Sequence, residues 1–240
     1  MKIATAFAST VTKLYGAEKG YQLLAEAGFH AVDHGDTMSL YRPFEGLFSL
    51  SEEEFIAHFQ AEHAAITSAG LTCCQIHLPF PTWPDPNPNA PWSWEEEYAY
   101  IKNAFRRSFT AARILNCEYA VLHCAMRCGW GKDDNPALTF EKNMQLFCEL
   151  LPLAKQNGVK IALENMPNAW IPSALPQSLT AMIDAVGDSE NFVACLDTGH
   201  ANLTGKEVTP AAYVRALGSR LKVLHVHDND GVFDCHALPS

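Results

Sequence analysis

The chain is expected to fold as an α/β protein of the (β/α)8 TIM-barrel class, lacking the last βα unit. Two observations predict this. One rhythm runs from end to end: a short apolar, β-rich run, a polar loop, a longer helical pattern, a Gly or Asn, then the next run. That is the sequence form of serial βα units, which build a parallel sheet flanked by helices. An open doubly wound sheet would normally place a glycine-rich phosphate turn after its first strand, and the stretch "AFASTVTKLYG" has none.

Seven runs qualify as strands: residues 2–8 (KIATAFA), 31–35 (AVDHG), 72–78 (TCCQIHL), 119–125 (YAVLHCA), 160–165 (KIALEN), 192–198 (FVACLDT) and 222–228 (KVLHVHD). Between them lie helical patterns such as "AEKGYQLLAEAGF", "SEEEFIAHFQAEHAAITSAG", "WEEEYAYIKNAFRRSFTAARILN" and "FEKNMQLFCELLPLAKQNG". Several open on Ser or acidic residues and close on Gly or Asn, as helix ends require. Nothing after Asp228 reads as an eighth strand, and without one two parallel edges keep unpaired N–H and C=O groups. The expectation is therefore one domain over residues 1–240, truncated at its C-terminus.

Composition narrows the partners. At 240 residues and 48% apolar, the chain can bury one substantial core. Its 17 basic against 27 acidic residues give a net charge of −10. Phosphate backbones are gripped mainly by Lys and Arg, so nucleic acid is not an expected partner. No apolar run reaches the length of a signal peptide core or a membrane helix, so a cytoplasmic protein without a membrane partner is expected. The eight Cys sit mostly in apolar segments and read as reduced thiols that pack like small hydrophobes.

Residues 225–236 alone hold three His and three Asp. A barrel of this class carries its active site at the C-terminal strand ends, so polar residues there have more weight than the same residues on helices. His77, His123, Glu164 and Asp197 close the third to sixth runs, His200 follows Asp197, and His227 closes the seventh, with Asp234 and His236 beyond it. A carboxylate such as Glu164 or Asp197, on a strand buried on both faces, must find a cation or several donors. Imidazoles and carboxylates converging on one point suit a single divalent ion: Mn, Co or Zn, and less well Mg. The two-residue strand period puts His225 and His227 on one face, His227 at the rim as a ligand and His225 deeper. All five Trp lie in or beside the loops after strands three to five, where Trp130, with Arg127 and Asn165, could meet a small polar substrate.

Taken together and in order, "ALEN", "CLDTGH" and "HVHDNDG...DCH" resemble the xylose isomerase-like superfamily, which holds sugar isomerases and epimerases and endonuclease IV. The resemblance covers the whole chain. It implies a metal held by Glu164, Asp197, His227 and a last Glu on an eighth strand, with His200 contacting substrate. It also implies a sugar, sugar phosphate or polyol as substrate. Glu164 would take a proton next to a carbonyl, the charge passing into a metal-stabilised enediolate, provided the last Glu exists in the natural protein. The endonuclease IV resemblance implies instead up to three Zn, with His77, His123, His200, Asp234 and His236 as further ligands, and the chain's charge opposes it. A non-catalytic barrel is a third reading, and a homo-oligomer is compatible with any of the three.

Overall fold

The structure is a computed structural model that describes residues 3–6, 8–38, 46–80, 93–125, 135–205 and 208–238. In chain order its elements are β1 (Ala4–Thr5), α1 (Ala8–Tyr15), α2 (Ala17–Glu26), β2 (Ala31–His34), α3 (Glu52–Ser68), β3 (Thr72–His77), α4 (Trp94–Ile114), β4 (Tyr119–Leu122), α5 (Pro136–Gln156), β5 (Lys160–Glu164), α6 (Pro176–Val186), β6 (Phe192–Asp197), α7 (Thr198–Thr204), α8 (Pro210–Leu217) and β7 (Leu221–His225). Strand order in the sheet is the sequence order, β1 to β7. Seven βα units of the TIM-barrel class are thus present, as the rhythm of the sequence predicts. The first strand is a correction: among the described residues of the expected 2–8 only Ala4–Thr5 is strand, and Ala8 already opens α1, which closes before Gly16 at φ 80°. The segment "ASTVTKLY" contains neither Gly nor Pro to stop a helix that begins early.

The chain divides into two compact units, the first made of residues 1–80, 96–120 and 153–159 and the second of 81–95, 121–152 and 160–240. In the first, β1, β2 and β3 pair in parallel, with Ala4 beside Ala31 and Val32 beside Cys73. Its buried apolar side chains include Val32, Phe55, Phe59, Ile66, Ile76, Phe105 and Phe109. The start of α3 is a capping box: the Ser51 hydroxyl accepts from Glu54 N–H at 3.2 Å, and the Glu54 carboxylate accepts from Ser51 N–H at 2.9 Å. Tyr21 of α2 donates to the Glu62 carboxylate of α3 at 2.5 Å, and His34 at the end of β2 faces the same carboxylate at 3.7 Å.

Arg107 of α4 organises the entry to α3. Its guanidinium donates to the Phe48 carbonyl at 2.8 Å and the Ser51 carbonyl at 3.0 Å, and lies 4.1 Å from the centre of the Phe55 ring. Two carbonyls just before a helix are thereby satisfied by a buried side chain that is only 3% exposed. Arg107→Met keeps the volume but leaves both carbonyls without this donor. We expect a loss of about 2–4 kcal/mol, read as a lower denaturation midpoint at unchanged m-value.

In the second unit β5, β6 and β7 pair in parallel, Glu164 beside Cys195 and Asp197 beside His225. Every residue of β6 is buried, which explains why "FVACL" is a continuous apolar run rather than an alternating one. Phe147 of α5 packs on Phe192 of β6 with ring centres 5.1 Å apart, and the Tyr213 hydroxyl of α8 donates to the Ala174 carbonyl. Among the described residues no further strand follows β7. Instead Asp228 and Ala237 exchange antiparallel backbone hydrogen bonds of 2.8 and 2.7 Å, closing residues 228–237 into a loop. That closure returns Asp234 and His236 to the strand ends.

Candidate metal centre

The site is built from strand ends of the second unit, and each side chain has a local reason for its place. Glu164 is the last residue of β5, 1% exposed, and the Ser173 hydroxyl holds its backbone carbonyl at 3.0 Å. Asp197 ends β6 and caps α7, accepting from His200 N–H at 2.7 Å. The two strand ends are clamped by Asn165: its amide oxygen accepts from Asp197 N–H at 2.7 Å and its amide nitrogen donates to the Asp197 carbonyl at 3.0 Å. His123 follows β4 directly, and two residues on Ala125 is fixed by the fully buried Asn143, through bonds of 2.7 and 2.9 Å.

Onto the two carboxylates come four imidazoles. His123 Nε2 lies 2.8 Å from Glu164 Oε2, and His225 Nδ1 lies 3.0 Å from Glu164 Oε1. His200 Nδ1 donates to the Asn165 carbonyl at 2.7 Å and lies 3.5 Å from Glu164 Oε1, while its Nε2 donates to Asp234 at 3.1 Å. His227 Nε2 lies 3.0 Å from the Asp197 carboxylate. The His236 ring stacks on His227 at 3.9 Å with planes 5° apart, and its Nε2 is 3.5 Å from Asp234. Asn229 donates to the Gly199 carbonyl at 2.8 Å, tying the loop after β7 to α7.

Burial by itself would raise the Glu164 pKa, but the charges and hydrogen bonds of His225 and His123 outweigh it and hold the carboxyl well below its usual range. His225 moves the other way: burial lowers it, and Cys195 and Glu164 together raise it well above an ordinary His. For His200, burial is again opposed, here by the Asp234 hydrogen bond and the charges of Glu164 and Asp197, and the result is about 9. A His pKa raised from 6.5 to about 9 stabilises the fold fully below pH 6.5, and the contribution disappears as pH rises through 9. Metal-free protein should therefore lose on the order of 3 kcal/mol between pH 6.5 and 9.5. Thermal melts in chelator would check this, and Asp234→Asn should flatten the profile.

Glu164, Asp197 and His200 each present a donor atom within 4.8 Å of the others, as do His227, Asp234 and His236. Oxygen and imidazole donors converging on two buried carboxylates fit a borderline divalent ion. His77, expected at the same rim, ends β3 in the first unit, where its Nδ1 lies 2.8 Å from the Leu78 carbonyl and its ring meets Phe80 edge-on at 5.3 Å. Arg127 and Trp130 lie outside the described residues. Sequence reasoning missed Gly199: a Cβ there would fall 2.0 Å from His227 Cε1, so only glycine lets this imidazole lie against α7. It also read Cys195 as plain packing, although its thiol is within 4.8 Å of the donor atoms of Glu164 and His225.

Serial parallel βα units with polar side chains gathered at the strand ends define a protein of the TIM-barrel class. The chain belongs to the xylose isomerase-like TIM barrel family, whose model matches residues 21–239. Over 97 residues it is 33% identical to an uncharacterized protein of Methanocaldococcus jannaschii, a stretch that makes up 40% of this chain and 33% of that one. The crystal structure of a D-tagatose 3-epimerase-like protein superposes at 25% identity with a TM-score of 0.70, over 98% of this chain and 79% of that one. An IolI protein crystallised with a bound zinc atom gives 0.64 at 16% identity, over 95% and 73%, a likeness of fold alone. Among the described residues no helix is long and apolar enough to cross a membrane.

Proposed function

We propose that the protein is a divalent-metal-dependent sugar or polyol epimerase or isomerase, with Glu164, Asp197 and His227 as metal ligands and Glu164 as an acid/base. The observation that carries this reading is the pair of buried carboxylates on adjacent strands, Glu164 and Asp197, each 1% exposed, with two imidazoles within 3.0 Å of Glu164 and one at 3.0 Å from Asp197. The likeness to a tagatose epimerase-like protein supports the substrate class, and the grouping of Glu164, Asp197 and His200 donor atoms within 4.8 Å of one another supports the metal. When bound, a divalent ion supplies Lewis acidity toward two neighbouring substrate oxygens.

The protein's own residues do the rest. Glu164 removes the proton from the carbon beside the substrate carbonyl and returns it, and its buried setting keeps competing water away. His200, doubly protonated between the Asn165 carbonyl and Asp234, places a positive charge beside a substrate oxygen, and Asp234 fixes the ring's direction. Returning the proton from the opposite face would need a second carboxylate, which the family resemblance assigns to a strand after β7. A free or phosphorylated sugar in the cytoplasm is the partner this chemistry calls for.

Elemental analysis of protein purified without chelator tests the metal, and deuterium uptake from D2O into a panel of ketoses and aldoses tests the reaction. About one Mn, Co, Mg or Zn per chain with exchange at the carbon beside the carbonyl is the expected result. Close to three Zn per chain with cleavage of abasic DNA would replace this reading with a phosphodiesterase.

A further inference from the structure

The sheet register places a thiol directly under the carboxylates. Glu164 pairs with Cys195 across β5 and β6, and Asp197 pairs with His225 across β6 and β7. Registered partners in a parallel sheet point to the same side, as do residues two apart on one strand. Glu164, Cys195, Asp197 and His225 are therefore four corners of one patch on one face, with His227 a step nearer the rim. His225 Nδ1 stands 3.0 Å from Glu164 Oε1 and 3.8 Å from Asp197 Oδ2, and the Cys195 sulfur lies within 4.8 Å of the donor atoms of Glu164 and His225. Bonds of about 2.0–2.3 Å arranged tetrahedrally separate neighbouring ligand atoms by roughly 3.3–3.7 Å. The two His225 spacings, 3.0 and 3.8 Å, bracket that range.

We propose that Glu164, Cys195 and His225, with Asp197 at its edge, form a second and deeper metal site that takes thiophilic divalent ions such as Zn2+ or Cd2+. The rim set of Glu164, Asp197 and His227 offers only oxygen and nitrogen and suits ions such as Mn2+ or Co2+; the deep set adds sulfur and selects softer ones. Cys195 is fully buried, which separates it from surface thiols that collect metal indiscriminately. Glu164 belongs to both sets, so an ion in the deep site withdraws the carboxylate that the rim chemistry uses. Ions that prefer sulfur, Cd2+ above all, then bind tightly and inhibit, and ions held by oxygen and nitrogen at the rim support turnover. The effect on turnover rests on the function proposed above; binding at the deep site does not.

Titration of the metal-free protein with Co2+ and then Cd2+ tests the site, read by the thiolate-to-metal charge-transfer absorption that oxygen and nitrogen ligands cannot produce. The band should appear in the wild type and persist in Cys235→Ser, which removes the exposed thiol beside Asp234. It should vanish in Cys195→Ser, with Cd2+ affinity falling by at least the about tenfold that loss of a merely supporting partner costs. No band in the wild type, or a band that survives Cys195→Ser, overturns the proposal. Should Cys195→Ser fail to fold, X-ray absorption of Zn-loaded Cys235→Ser decides instead: a zinc–sulfur distance of about 2.3 Å supports the site, and a shell of oxygen and nitrogen alone refutes it. A charge-transfer band in a protein that exchanges no sugar protons would sink the enzymatic reading and leave the deep site standing; turnover without a band would do the reverse.

Discussion

Glu164→Gln is expected to abolish sugar turnover while leaving the protein folded. The substitution keeps the shape of a side chain that is 1% exposed, so no cavity opens, and the amide oxygen can still accept from one imidazole. What it removes is the charge. An amide cannot take a proton from carbon, which forfeits the roughly 10^2–10^4-fold that a positioned base contributes, and it is a poor metal ligand, which adds to the loss. His225 and His123, which now hold the carboxyl far below its normal range, lose the charge they pair with, and the raised pKa of His225 should fall in the variant. Circular dichroism, metal content and deuterium exchange measured on one preparation separate these effects. A variant that keeps most of its exchange activity would take Glu164 out of the base role.

Much of this arrangement is legible in the sequence because strand ends are. The bounds of β2, β3, β5 and β6 lie within one residue of the runs read from the sequence, whereas β4 and β7 stop three residues early, at Leu122 and His225, leaving His123 and His227 just past the strands; Glu164 and Asp197 stand out as charges at the ends of such runs. Both His225 and His227 do reach the carboxylates, His225 from the last position of β7 and His227 from two residues beyond it. What a period cannot convey is lateral neighbourhood. Whether Cys195 sits beside an aliphatic side chain or beside Glu164 depends on the register between β5 and β6, which no single strand encodes. The same holds for Asn165, whose amide reads as a free polar group until β6 supplies the Asp197 backbone opposite it. Gly199 is harder still. Its neighbours suggest a turn or a helix start, and its function becomes visible only when a ring 28 residues further along the chain is laid against it.

Gly199→Ala should cost the protein its rim metal affinity while leaving it folded. The added methyl would fall 2.0 Å from Cε1, 2.4 Å from Nδ1 and 2.6 Å from Nε2 of His227, well inside contact distance, so the imidazole has to leave. It cannot simply slide outward, because His236 is stacked on it at 3.9 Å. Rotation of the side chain removes the clash without moving backbone, and Gly199 is the second residue of α7, where alanine is compatible with the helix. The metal-free variant should therefore stay folded, its melting temperature lowered only by the loss of an imidazole from beside the buried Asp197 carboxylate. Asp197 then loses the imidazole that now lies 3.0 Å away, and one of the three proposed ligands points elsewhere. We expect Mn2+ affinity to drop by about 10–100-fold and turnover at limiting metal to drop with it, recovering in part when metal is raised. His227→Ala should show the same loss, and the double variant should be little worse than either alone, because both remove one ligand. Wild-type Mn2+ affinity in Gly199→Ala would mean that His227 is not a ligand, and would shift the nitrogen donor of the rim site to His200 or His225.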